Sequence, residues 1–265
     1  MKNMTWLIFE SNPWLLPAIA FVVLAVATEL PYWVTRSLHK KPPENHDALN
    51  AVLAGILTLS SFVLGLSFSQ ASGRFDARRG LVISEANAIG TTWLRANQLE
   101  PAQMQQFRHV LTDYAAMKLK VYQTPGARDL QQQAIEQTGR DQATLWEIAS
   151  SALRAHPANL GLSLLMQSLN DTIDVGAAIR QALTSHVPTA VVTLTLVLIA
   201  LGALSLGLRF ALDESRPRVV SIIYVVASVV VFSMMVDYDR PGTGLVTVSV
   251  TPLQLQVRSM QSAPK

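Results

Sequence analysis

The residues of this chain that could do chemistry are histidines, a few acids, a cluster of arginines and a glycine turn. Cysteine is not among them: the 265 residues contain none. Thiol nucleophiles, zinc–thiolate sites, iron–sulfur clusters and disulfides are therefore excluded. The five histidines, His39, His46, His109, His156 and His186, show no i, i+4 pair and no His-Glu-x-x-His arrangement. Their spacing supports no metal site, and they read as loop and surface residues. Pro241-Gly242-Thr243-Gly244 opens like a phosphate loop, but Leu245-Val246 stands where Lys-Ser/Thr must follow, so a turn is the reading. No ordering of Ser, His and Asp stands out as a triad. Neither an enzyme nor a cofactor is expected.

The charged residues offer more. Arg74, Arg78 and Arg79, with Asp76 between them, form either a basic collar that raises the anion concentration at a pore mouth or a set of headgroup anchors for a helix. In Glu85-Ala86-Asn87-Ala88-Ile89-Gly90-Thr91 the carboxylate sits among small and apolar neighbours and needs a partner. Arg95 or an arginine from another helix is the expected one, with a ligand site as the alternative. Glu29 is the one acid inside an apolar stretch, a functional candidate by default. Pro31-Tyr32-Trp33 follows directly, which favours a position at the membrane interface. Asp237-Tyr238-Asp239-Arg240-Pro241 supplies two carboxylates, too few oxygens for calcium by themselves. A helix-exit turn held by Arg240 is the expectation. Glu85, Asn87, Arg95, Asp237, Asp239 and Arg240 are accordingly assigned to a structural polar network.

The elements that position these groups are set by composition. Half of the residues are hydrophobic and only 15% are charged, against about 25% in soluble domains. Ala48 to Gly73 holds no charge, and Val187 to Leu208, Val219 to Val236 and Trp14 to Val34 are comparably apolar apart from Glu29. A bilayer core of about 30 Å takes roughly 20 helical residues, so four spans are predicted. Trp6, Trp14, Tyr32 and Trp33 bracket the first as an aromatic belt would, and it reads as a retained anchor. Basic residues do not orient the chain: Lys2, Arg74, Arg78, Arg79, Arg180 and Arg240 on one side face Arg36, Lys40, Lys41, Arg209, Arg216 and Arg218 on the other. The net charge of +3 is dispersed and forecasts no nucleic-acid partner.

Residues 71–186 are different, with 11 basic and 10 acidic side chains. Apolar residues recur there at helical spacing (Phe75, Val82, Ala86, Ile89 and Trp93, then Met104, Phe107, Leu111 and Tyr114, then Leu145, Ile148 and Ala152). Breaks at Pro101, Pro125-Gly126 and Pro157 divide the segment into four helices of about 20 to 30 residues. The first continues the second span, since no proline separates Ala48 from Leu99, and the last is broken at Pro188 before the third span. The segment is either a lone four-helix bundle or one buried against neighbouring subunits. Leu245 to Val250 is the one plausible short strand. The fold expected is an all-α membrane protein, with a tail and two spans over 1–70, a helical extramembrane domain over 71–186, and two spans and a tail over 187–265.

Within the second span a helix puts Thr58, Phe62 and Leu66 on one face and Ser61, Gly65 and Ser69 on an adjacent small-residue face. Repeated around an axis, Phe and Leu rings make an apolar constriction that gates by dewetting. The other reading sets Phe62 and Leu66 against lipid or neighbouring helices.

Taken together, Ser61-Phe62-Val63-Leu64-Gly65-Leu66-Ser67-Phe68-Ser69 and Arg74-Phe75-Asp76-Ala77-Arg78-Arg79 resemble the bestrophin pore helix and its Arg-aromatic-x-x-Arg exit. The Glu85 to Thr91 motif, Trp93-Leu94-Arg95, Ser215-Arg216-Pro217 and Asp237 to Pro241 resemble the bacterial bestrophin-like domain family, over about Ala48 to Leu253. The resemblance implies a pentamer of four-span subunits in the bacterial inner membrane, with the middle domain and both termini cytoplasmic. It also implies a central path for chloride or another small anion, with Phe62 and Leu66 in the neck and Thr58 one turn above. Leu66 departs from the aromatic expected at one neck level. Two aspartates replace the dense acidic calcium clasp of animal bestrophins, which puts calcium gating in doubt.

Two functions are thus carried forward: a homo-oligomeric anion channel, and a non-conducting membrane sensor or scaffold with a helical partner-binding domain. A proton-driven motor stator would need acids in the third and fourth spans, which hold none.

Overall fold

Backbone polar groups cannot stay unpaired in hydrocarbon, so a spanning segment is a helix or a strand of a closed barrel, and each apolar stretch here is a helix. The computed structural model describes residues 14–38, 46–213, 217–240, 242 and 244–263. Trp6, Lys2, His39, Lys40, Lys41, Ser215, Arg216, Pro241 and Thr243 lie outside them. The order is α1 (Leu15–Leu38), α2 (His46–Arg95), a 3-10 turn (Ala96–Gln98), α3 (Pro101–Gln123), α4 (Arg128–Ala155), α5 (Leu160–Thr184), α6 (Thr189–Leu212), α7 (Arg218–Asp239) and α8 (Thr251–Ser262). Four segments, including α1, the first part of α2 and α7, are long and apolar enough to cross a membrane. No strand occurs among the described residues.

The local signals act where the sequence places them. The second span and the first middle helix are one uninterrupted 50-residue helix. Pro101 occupies the first turn of α3, where its missing N–H costs nothing. Asn159 caps α5 by accepting the backbone N–H of Gly161 and Leu162. Helix α5 stops at Thr184 and α6 starts beyond Pro188. The expected strand is absent: Leu245 to Val250 is irregular. The amides of Leu245 and Val246 donate instead to the Asp237 carboxylate, at 2.7 and 2.9 Å, and no described strand is present to pair with them.

The chain forms two compact units. The first holds the described residues up to Arg74, His186–Arg240 and Gly244–Val246. Its core joins Ala20, Leu24, Leu64, Ala71, Ile199, Ala203, Phe232 and Met235. Here α1 and α6 cross so closely that Gly207 sits against the Thr28 backbone. The second unit holds Phe75–Ser185, Gly242 and the described residues from Thr247 onward. Its core is built on Ile89, Phe107, Leu111, Tyr114, Leu145, Leu165 and Leu169, completed by Leu253, Val257 and Met260 of α8. By position in the sequence α8 follows the last span; in the structure it packs with the middle helices.

One buried acid tunes the second unit. Asp141 on α4 is 6% exposed, and burial, then the negative charge of Asp113, push its carboxyl up from the ordinary value. The Gln137 amide and Arg140 oppose the shift without cancelling it. The folded chain thus holds this proton to higher pH than the unfolded chain, and stability declines as pH rises from about 3.9 through the raised value. Asp141→Asn is expected to match the parent at pH 4 and to melt higher at pH 7, by a few degrees, in thermal unfolding of the detergent-solubilised protein. A lower melting temperature at pH 7 would count against this account.

Candidate functional site

Hydropathy alone leaves the rotation of α2 open, because its membrane part is apolar nearly all round. Contacts with the rest of the membrane unit fix it. Ser60 donates to the carbonyls of Ile56 and Leu198 at 2.6 and 2.8 Å. Ser67 shares a 2.9 Å hydrogen bond with the Thr195 hydroxyl on α6. Ser60, Leu64, Ser67 and Ala71 form the buried face. The small-residue face of Ser61, Gly65 and Ser69 is exposed. The serines that hold α2 were missed, although their i, i+7 spacing was present in the sequence.

Opposite them, Thr58 is exposed, Phe62 is 63% exposed and Leu66 is 49% exposed. Phe62 and Leu66 therefore find little cover among the described residues. A Cβ added at Gly55, Gly65, Gly73 or Gly80 on this helix would meet nothing within 4 Å. Glycine inside a helix costs about 1 kcal/mol relative to alanine. No packing among the described residues accounts for these four.

The arginines divide. Arg78 is 4% exposed, and its Nε and Nη2 donate to the carbonyls of Ala182 and Ser185, at 3.2 and 2.8 Å. It closes the C-terminal end of α5, where a cation also meets the negative end of the helix dipole. Arg74 is half-buried and Arg79 is exposed.

The polar residues assigned to a network fall in separate places. Glu85 is fully buried, but its partner is neither Arg95 nor another arginine. Lys118 Nζ on α3 lies 3.0 Å from its Oε1, and the Tyr122 hydroxyl donates to Oε2 at 2.8 Å. Arg95 follows Glu85 by ten residues, about 15 Å along the helix and on a different face. It donates to the Leu164 carbonyl at 2.8 Å. Asn87 is exposed. Burial, followed by the Glu85 charge, raises the Tyr114 and Tyr122 phenols well above their ordinary value. Thr92 and Thr172 share a buried 2.9 Å hydroxyl bond, tying α2 to α5.

Asp237 and Asp239 each hold backbone. Asp237 takes the two amides after α7, and Gly244 allows this, since a Cβ there would stand 2.8 Å from Asp237 Cγ. Asp239 accepts the Val187 N–H with both oxygens, at 2.9 and 3.1 Å, and faces His186 Nδ1 at 3.6 Å. Arg240 is 5% exposed. These carboxylates thus secure the entry to α6 and the exit from α7. Of the remaining histidines, His109 is exposed beside Asp113, at 2.9 Å.

Helices of this length and hydropathy in this order define a multi-pass, all-helical membrane protein. Residues 19–253 match the Bestrophin-like domain family model, and the chain belongs to that family. Its fold is similar to that of a bacterial bestrophin homologue from Klebsiella pneumoniae. A crystal structure of one point mutant superposes with a TM-score of 0.69 at 16% identity, covering 93% of this chain and 98% of that one. A second gives 0.68 at 15% identity, covering 92% and 96%. No curated protein sequence matches the chain.

Proposed function

We propose that this protein is the subunit of a homo-oligomeric channel for small anions. The observation that carries the reading is the exposed Thr58, Phe62 and Leu66 stripe, set opposite a face of α2 pinned by Ser60 and Ser67. Copies gathered about an axis, five by the family resemblance, bring these side chains into rings and give the uncovered glycines neighbours. The rings form a narrow apolar neck, where water and ions are expelled until the rings widen. Arg79, and Arg74 one turn or more before it, supply positive charge beyond the neck. Arg78 is left out of that role because its donors are engaged. The protein resides in the inner membrane with the middle helices and both termini on the cytoplasmic side.

Purified protein in chloride-loaded liposomes is expected to release chloride above the rate of empty liposomes. Phe62→Ala, which removes the bulk of one ring, is expected to raise that flux several-fold. Efflux equal to that of empty liposomes would sink the proposal and leave the non-conducting sensor or scaffold.

A further inference from the structure

Where α6 ends and α7 begins, an open cleft is lined by Glu29 and Tyr32 of α1, Phe210 of α6, and Pro217, Arg218 and Ser221 at the start of α7. Among the described residues at this end, Arg209 ion-pairs with Asp213 and donates to Asn50 at 2.7 Å, and Arg36 donates to the Tyr32 hydroxyl at 3.2 Å. Glu29 and Arg218 differ. They carry opposite charges into one cleft, both are exposed, and neither makes a hydrogen bond or ion pair with any described residue. Around Glu29, α1 exposes Val22, Val26, Leu30 and Trp33, an apolar surface suited to acyl chains. A carboxylate on such a surface is costly unless a cation or water meets it.

We propose that this cleft holds the zwitterionic headgroup of phosphatidylethanolamine, its ammonium against Glu29 and its phosphate against Arg218. A lipid is the source because the charged cleft opens beside Phe210 and the apolar face of α1. An ammonium gives Glu29 hydrogen bonds as well as charge, which choline cannot, and an anionic headgroup alone leaves Glu29 without a counter-charge. The site depends on the four spans and not on conduction.

Delipidated protein, reconstituted with equal amounts of phosphatidylethanolamine, phosphatidylcholine and phosphatidylglycerol, is read by native mass spectrometry of retained lipid. Phosphatidylethanolamine is expected to be enriched several-fold over the other two. Glu29→Gln and Arg218→Gln should each abolish the enrichment, and Arg218→Lys should keep most of it. Gel filtration separates loss of lipid from loss of fold. Equal retention of the three lipids, or enrichment unchanged by both neutral variants, overturns the proposal. Retention of phosphatidylglycerol in preference, surviving Glu29→Gln, overturns it in favour of a simple cationic site. Displacement by micromolar soluble phosphoethanolamine overturns the lipid source.

Discussion

Gly207→Ala is expected to destabilise the membrane unit more than any other single methyl group added to it. A Cβ at Gly207 collides with the Thr28 carbonyl oxygen and stands 2.9 and 3.1 Å from Thr28 C and Cα. These are backbone atoms of a packed helix, so they cannot rotate away as a side-chain tip would. Relief requires moving α1 from α6 along a crossing whose neighbours Ala20, Leu24 and Ala203 are fully buried. Overpacking costs about 1–3 kcal/mol and sometimes more, and backbone against backbone belongs at the upper end. At about 2–4 °C per kcal/mol for a chain of this size, a melting temperature lower by roughly 6–12 °C is expected in detergent. Gly65→Ala is the control. Its methyl meets nothing within 4 Å among the described residues, so helix propensity alone predicts a gain of up to about 1 kcal/mol. A loss there instead reports a neighbouring subunit on that face, and a Gly207→Ala protein that melts like the parent would show that the α1–α6 crossing is looser than described.

Lys118→Met is expected to cost the extramembrane unit about 3–5 kcal/mol, the penalty for stranding a buried charge. Glu85 has no solvent exposure, and its two oxygens face Lys118 Nζ and the Tyr122 hydroxyl. Gly176 of α5 closes over the same place, where a Cβ would meet the Tyr114 hydroxyl at 2.8 Å and Lys118 Nζ at 3.8 Å. Water therefore has little room to replace the ammonium. The combined Glu85→Gln, Lys118→Met protein strands no charge and is expected to recover more than half of the loss. The readout is thermal or denaturant unfolding of the solubilised protein across the four members of the cycle. Additive effects would mean that the two groups do not act as a pair. The cluster is a structural anchor that locks α2 to α3, so the variants are expected to lower protein yield before they alter any flux.

The sequence carried clear information about which segments are helices and where they stop. Span lengths follow from uncharged runs, and the uninterrupted passage from Ala48 to Leu99 without proline became the single helix α2. Pro101, Pro157 and Pro188 punctuate the chain through effects confined to one turn, so each could be read without knowing its neighbours. The motifs also carried the family resemblance, which the family match over residues 19–253 bears out.

Partner choice was not legible, because it joins residues far apart in the chain. Glu85 meets Lys118, Arg78 meets Ala182 and Ser185, and Gly207 meets Thr28, contacts that no local spacing announces. The same holds for α8, which its sequence position grouped with the spans. The rotation of α2 was hidden for a different reason. In water, polar residues mark the outer face of a helix; in a bilayer, lipid and protein interior are equally apolar, so hydropathy does not distinguish Phe62 from Leu64. Packing decides it: Leu64 and Ala71 enter the buried core of the membrane unit, Ser60 and Ser67 meet Leu198 and Thr195 of α6, and Phe62 is left exposed.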